Sequence, residues 1–141
     1  MENLAHTLFG LALAQAGLED ASPLATTTLV IASNLPDIDW VMSIGGGSLS
    51  YIKYHRGYTH SFIGLVVLAA ALVFFLKFVD RRLRLRRDLF RRPIRPWRLF
   101  WLACLGGLGH LFLDFTNSYG IRPLIPFSKQ WFHGDLIFVA D

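Results

Sequence analysis

Apolar positions gather along this chain in two long runs and two shorter ones. Residues 62–76 are all apolar or glycine, and Phe78 and Val79 carry the run past Lys77. About 18 residues of helix rise about 27 Å, close to the hydrocarbon thickness of a bilayer. The run therefore predicts a transmembrane helix, with Lys77 reaching toward the headgroups. Residues 99–113 predict a second, flanked by Trp97 and Trp101 at the end where interfacial aromatics collect. Residues 4–18 and 24–35 predict two shorter helices separated by Glu19-Asp20-Ala21-Ser22-Pro23. Ser22 is expected as the cap of the second, with Pro23 at its first helical position. Both are short for a span, so packing within a bundle or shallow insertion competes with crossing. Glycine-rich residues 44–50 read as a flexible connection, and 122–141 as a surface-hugging loop with one short helix. There is no internal repeat. Met1-Glu2-Asn3 lacks the basic start of a removable signal peptide.

This pattern predicts an all-α protein, an integral membrane bundle of four helices in up-down order with at least two transmembrane helices. In such an order the start of an odd helix and the end of an even one share an end of the bundle. His6 opens helix one, Asp37 and Asp39 follow helix two, His60 precedes helix three, and His110 and Asp114 close helix four. All of these fall at one end, and the connection between helices three and four falls at the other.

Composition agrees with a bilayer setting. The 141 residues make one domain, or a fragment truncated from a larger protein, and 53% are hydrophobic against 17% charged. Soluble domains carry about 25% charged residues. One cysteine, Cys104, excludes an internal disulfide and a thiolate-based zinc knuckle; within an apolar run it reads as a small buried side chain. The net charge of +4 hides a segregation: residues 81–98 hold nine arginines and one acid, Asp88. A basic block between two apolar runs reads as a topology signal rather than a nucleic-acid site. It places that loop in the cytoplasm and the opposite end on the periplasmic or outer side.

Imidazoles and carboxylates beside hydrocarbon are costly unless they pair, hold a metal or line a wet cavity. His6, Asp37, Asp39, His55, His60, His110 and Asp114 are seven such groups. His110 and Asp114 stand at i and i+4 on one helical face, and each can reach one ion; the bland alternative is a helix-end ion pair. Asp37 and Asp39 point the same way if their segment is extended, so that one bridges ions while the other ligates or acts as base. In His55-Arg-Gly-Tyr-Thr-His60-Ser, two histidines flank a glycine turn. Arg56 is suited to hold an anionic group, and Thr59 and Ser61 to cap the next helix. His133 has no such company and reads as a surface residue. Imidazoles with carboxylates suit zinc, with manganese and iron as alternatives. Seven candidates exceed one tetrahedral shell, so one to two ions are expected. Metal-assisted phosphoester hydrolysis is the chemistry these parts serve best.

The segments HTLFG from His6, LPDID, HRGYTHS, GHLFLDFTNSYG and RPLIPFS occur in the order that resembles bacterial inner-membrane, metal-dependent hydrolases of the YdjM type, some described as LexA-regulated. The resemblance covers nearly the whole chain. The order His, Asp, His and then HxxxD is also similar to the zinc-dependent phospholipase C and P1 nuclease enzymes. It implies His6, Asp37, His60, His110 and Asp114 as ligands, with His55 and Asp39 behind them. The later HxxxE ligands of the phospholipases have no match here. The expectation is a membrane-bound hydrolase cleaving a phosphoester in a lipid-like substrate, with Asp37, Asp39 and Arg56 in catalytic roles and membrane lipids as its surroundings. The competing expectation is a metal-stabilised scaffold or regulator whose arginine loop engages anionic lipid or a partner protein. Oligomeric state is not legible.

Overall fold

The computed structural model describes residues 3–43, 56–84 and 93–136, with the backbone alone at 40–43 and 83–84. His55 and residues 85–92 of the arginine segment lie outside the described residues. Among those described, the protein is helical, and one isolated antiparallel bridge joins Ile121 to Phe132.

The first apolar run forms α1 (Asn3–Leu13), which loosens into a wider turn over Ala14–Leu18. Gly17 takes φ 104° there, a backbone state that L side chains disfavour. The second forms α2 (Ala25–Ala32). Ser22 does not cap α2. Leu24, at φ 70°, turns the chain into the helix, and Ser22 Oγ instead accepts the Arg95 N–H at 3.0 Å. Arg95 precedes the last helix and needs an acceptor at that point. Spending the serine on it pins the starts of two helices together, and Arg98 Nη1 donating to the Ala21 carbonyl at 3.0 Å ties the same corner.

A tight 3-10 segment, Leu35–Ser43, follows α2, and a single 3-10 turn, Tyr58–His60, leads into α3 (Phe62–Arg84). Ser61 caps α3 as expected: it sits in extended backbone, and its Oγ accepts the Gly64 N–H at 3.0 Å. Thr59 does not cap; its hydroxyl lies 3.0 Å from His60 Nδ1. Pro96 opens α4 (Pro96–Phe115), where its missing N–H costs nothing.

The helix α4 is the centre of the assembly and touches α1, α2 and α3. Its stripe Leu99, Leu102, Ala103, Gly106, Gly107, His110 and Asp114 is buried, while Trp97, Trp101, Leu108 and Phe112 face outward. Small residues let backbones approach closely, as they do where helices pack without water between them. A methyl group on Gly109 would run into the Phe9 ring of α1. The contacts also give direction. Thr7 near the start of α1 bonds Asn34 beyond the end of α2, Ser33 meets Gly106, and Leu65 near the start of α3 meets Gly107.

Both α3 and α4 are long and apolar enough to cross a membrane, over Phe62–Arg82 and Pro96–Phe115. Only 28% of the apolar window of α3 is buried inside the protein, against 56% for α4. Phe74, Phe75, Val67 and Phe78 are left exposed, an apolar surface of the kind that meets a membrane or another protein. After α4 the chain folds back along itself without a helix among the described residues. Phe115 and Thr116 carbonyls accept the Gly134 and Leu136 N–H groups, and the Pro123 carbonyl accepts that of Phe62.

Candidate metal centre

Four side chains from three elements meet at the end of α4: Asp37 from the 3-10 segment, His60 from the turn before α3, and His110 and Asp114 from α4. One donor atom from each lies within 4.8 Å of all the others. His60, His110 and Asp114 are fully buried, and the Asp37 side chain is 20% exposed.

The spacing inside this group carries chemical information. The Nε2 atoms of His60 and His110 are 3.1 Å apart. His60 Nε2 lies 3.4 Å from both Asp37 Oδ1 and Asp114 Oδ2, and His110 Nε2 lies 3.6 Å from the same two oxygens. Charge-assisted hydrogen bonds between such groups contract to about 2.7–2.9 Å. A tetrahedron with its donors about 2.0–2.1 Å from the centre has edges of about 3.4 Å. The four imidazole–carboxylate separations match the edges of a coordination shell better than they match hydrogen bonds, while the 3.1 Å between the two Nε2 atoms fits either.

The outer nitrogens are already engaged. His110 Nδ1 is 2.8 Å from the Ser33 carbonyl, which can only accept, so the proton is on Nδ1 and the Nε2 lone pair faces the cluster. His60 Nδ1 has the Thr59 hydroxyl at 3.0 Å and Asp39 Oδ2 at 3.5 Å. Fixing the far nitrogen of an imidazole in this way is how metal-ligating histidines are oriented. Acceptors from four side chains thus point at one another, an arrangement that a cation or a proton must relieve.

Electrostatics follow the same geometry. Burial alone would raise the Asp37 pKa, but pairing with His60 and the charges of His110 and His60 outweigh it and hold the carboxyl below its ordinary value. Burial alone would lower His60; its contacts with Asp114 and Asp37, with the charges of Asp114 and Asp39, prevail and raise it.

The remaining sequence candidates fall into supporting positions. Asp39 does not point with Asp37. The segment is 3-10 helix rather than extended, so residues two apart diverge, and the two carboxylates flank His60 on opposite ring nitrogens. Asp39 Oδ2 also accepts the Arg56 backbone N–H at 2.8 Å. Arg56, at φ 53° and almost fully buried, is not poised toward an open space. Its guanidinium reaches Asp114 Oδ2 at 3.2 Å, Asn117 Oδ1 at 3.2 Å and the Gly120 carbonyl at 2.8 Å. His6 stacks on His110 with ring centroids 3.9 Å apart, and its Nε2 is 3.6 Å from Asp114 Oδ1. Neither ring nitrogen of this fully buried imidazole has a hydrogen-bond partner among the described residues, which in an ordinary core is a costly state. His6 and Asp39 thus flank the four-donor group, and the described residues contain no second such group. His55 lies outside the described residues. His133 is on the surface, half exposed and paired with Asp135 at 2.9 Å.

Ser33, Asn117, Gly120 and Thr59 contribute in ways that the sequence did not assign to them. Ser33 acts through its carbonyl, which any residue type supplies. Asn117 anchors Arg56 and accepts the Tyr119 and Gly120 N–H groups, while Gly120 at φ 76° completes the turn. An Asn followed three residues later by Gly is a turn signature, and that spacing was the available clue. Thr59 was visible only as a helix cap.

The donor set therefore fits a metal ion: two imidazoles and two carboxylates with no thiolate, preoriented around one point. Similarity to known proteins sets this centre in context. The chain is 29% identical over 154 residues to "Uncharacterized protein YfhP" of Bacillus subtilis (strain 168), with all of this chain covered. It spans 42% of that relative's length. No solved structure matches it. The family model described as "YdjM inner membrane protein" matches residues 1–141, and the chain belongs to that family.

Proposed function

We propose that this chain is a membrane-embedded, metal-dependent hydrolase whose ion is held by Asp37, His60, His110 and Asp114, acting on a phosphoester in a lipid-like substrate. The observation that carries the reading is the set of 3.1–3.6 Å separations between donors of largely buried side chains. Zinc is the first choice, with manganese and iron next. When bound, such an ion lowers the pKa of water and stabilises charge on a phosphoryl oxygen.

The protein's own contribution is orientation and charge. The Ser33 carbonyl holds His110 with its Nε2 inward, and Thr59 with Asp39 hold His60 in the same sense. Arg56 neutralises Asp114, and removing one partner of so buried a pair costs about 3–5 kcal/mol. Asp37 is ionised at neutral pH and is the donor that reaches the surface. In this reading Asp37 Oδ1 would be the atom offered to an ion, and its second oxygen would be free to hydrogen-bond a water and accept a proton from it. Asp39 positions His60 and does not accept that proton, because it is committed to Arg56 and His60.

The same reading places α3 and α4 across the inner membrane in an up-down bundle, supported by the exposed apolar surface of α3 and by the opposed chain directions at the Thr7–Asn34 and Leu65–Gly107 contacts. The arginines of 81–98 then face the cytoplasm, with the centre toward the periplasmic or outer side. A four-donor shell is also what a purely structural site shows, so the scaffold reading is the one to test against. Purified protein loaded with zinc is expected to hydrolyse simple phosphodiesters. Asp37→Asn at saturating zinc is expected to lose at least about 100-fold in turnover while still binding the ion. Zinc binding without hydrolysis across a phosphomonoester and phosphodiester panel would favour the scaffold.

A further inference from the structure

Three of the four donors are fully buried, and Asp37 is the one whose side chain is partly exposed. That carboxylate lines a cleft of about 380 Å³ between the start of α1 and the end of α2. The volume suits a small molecule. The cleft is two-sided in character. Asp37 is its one titratable side chain, and Asn34 is held in place, donating to Thr7 Oγ1 at 3.1 Å and to the Val30 carbonyl at 2.9 Å. Val30, Ile31 and Ile38 form apolar wall. Ile31 and Ile38 are 36% and 47% exposed, so both side chains are open to a ligand in the cleft. A second groove, of about 310 Å³ along Leu108, Phe112 and Phe132, contains no titratable side chain and offers no chemistry.

We infer that the Asp37 cleft is the substrate site and selects an alkyl-bearing phosphoester. Its phosphoryl group lies at the Asp37 end and its alkyl chain against Val30, Ile31 and Ile38. The inference rests on the metal reading above, since without an ion an anionic head would meet the Asp37 carboxylate. It goes further in naming the entrance, the orientation and the residues that set chain preference. Val30, Ile31 and Ile38 present methyl groups to a ligand, with Asn3 and Asn34 the only amide side chains of the lining.

The test uses the full chain in amphipol, free of alkyl detergent, loaded with cobalt(II), whose visible spectrum reports ligands reaching the ion. Methyl-, butyl- and hexylphosphonate are titrated as non-hydrolysable probes. Affinity is expected to rise at least about tenfold from methyl to hexyl, well below the full gain for burying five methylenes. Ile31→Trp and Ile38→Trp, at exposed positions, are expected to abolish that rise while methylphosphonate binding stays within about twofold. Ile31→Ser should weaken hexylphosphonate without altering the cobalt spectrum of the free protein, which shows that the centre is intact. A normal cobalt spectrum with no dependence on chain length, or one in which a nucleoside monophosphate outcompetes hexylphosphonate, overturns the cleft assignment alone. Absence of any tetrahedral cobalt spectrum overturns the metal reading and this one with it.

Discussion

Replacing Asp39 with asparagine separates a residue that holds the metal from one that holds a ligand. Asp39 Oδ2 accepts the Arg56 N–H at 2.8 Å and faces His60 Nδ1 at 3.5 Å, away from the nitrogen that points into the cluster. An asparagine oxygen in the same place still accepts from Arg56, so the local turn survives. What disappears is the negative charge behind the imidazole. Losing such a partner lowers metal affinity about 10–100-fold, or about 1.4–2.7 kcal/mol. Losing a true ligand costs more. Structural zinc binding of about 10–16 kcal/mol shared over four ligands gives about 2.5–4 kcal/mol each, roughly 100–1000-fold. Chelator-competition titration of zinc on wild type, Asp39→Asn and His60→Ala measures both on one scale. A loss in Asp39→Asn equal to that in His60→Ala would put Asp39 on the ion and refute the geometry argued here; an unchanged affinity would remove its positioning role.

Two further outcomes follow from the same contacts. Ser61→Ala removes the cap of α3 and is expected to cost about 1 kcal/mol, read as a lowered midpoint in thermal unfolding, whereas Thr59→Val should instead weaken zinc binding. The pH dependences of the metal-free and metal-loaded protein should oppose each other. His60 is raised, so its contribution to the metal-free fold is complete below the ordinary value of 6.5 and is lost as pH climbs through the folded value. Asp37 is lowered, so its contribution is present above the ordinary 3.8 and is lost only as pH falls through its folded value. Metal binding requires neutral imidazole. The thermal shift produced by zinc is therefore expected to grow from pH 6 to pH 8; a shift that shrinks over that window would contradict the His60 assignment.

The sequence carried the convergence of the site because helix order alone sorts residues to the ends of a bundle. His60, His110 and Asp114 were legible for that reason, and so was the Ser61 cap, which depends only on its neighbours. Directions were harder to see. Whether Asp37 and Asp39 agree or diverge depends on 3-10 against extended backbone, and Leu-Pro-Asp-Ile-Asp suits both. Ser22 offered a cap signature, but its hydroxyl went to Arg95, 73 positions away, a partner chosen by tertiary packing. Arg56 looked like an anion binder because its type suits that task. Its actual partners, Asp114, Asn117 and the Gly120 carbonyl, come from a turn that local pattern could not place beside it. His6 reached the centre as expected yet stacks on His110 outside the four-donor group, a distinction that no periodicity encodes.

X-ray absorption at the zinc edge on protein purified with zinc, alongside metal analysis of wild type and His110→Ala, reads out whether Asp37, His60, His110 and Asp114 hold an ion. One ion per chain is expected, surrounded by two imidazole nitrogens and two oxygens at about 2.0 Å, with the ion lost or greatly weakened in the variant. A chain that retains no transition metal, or whose zinc shows no imidazole scattering and is unaffected by His110→Ala, would contradict that assignment.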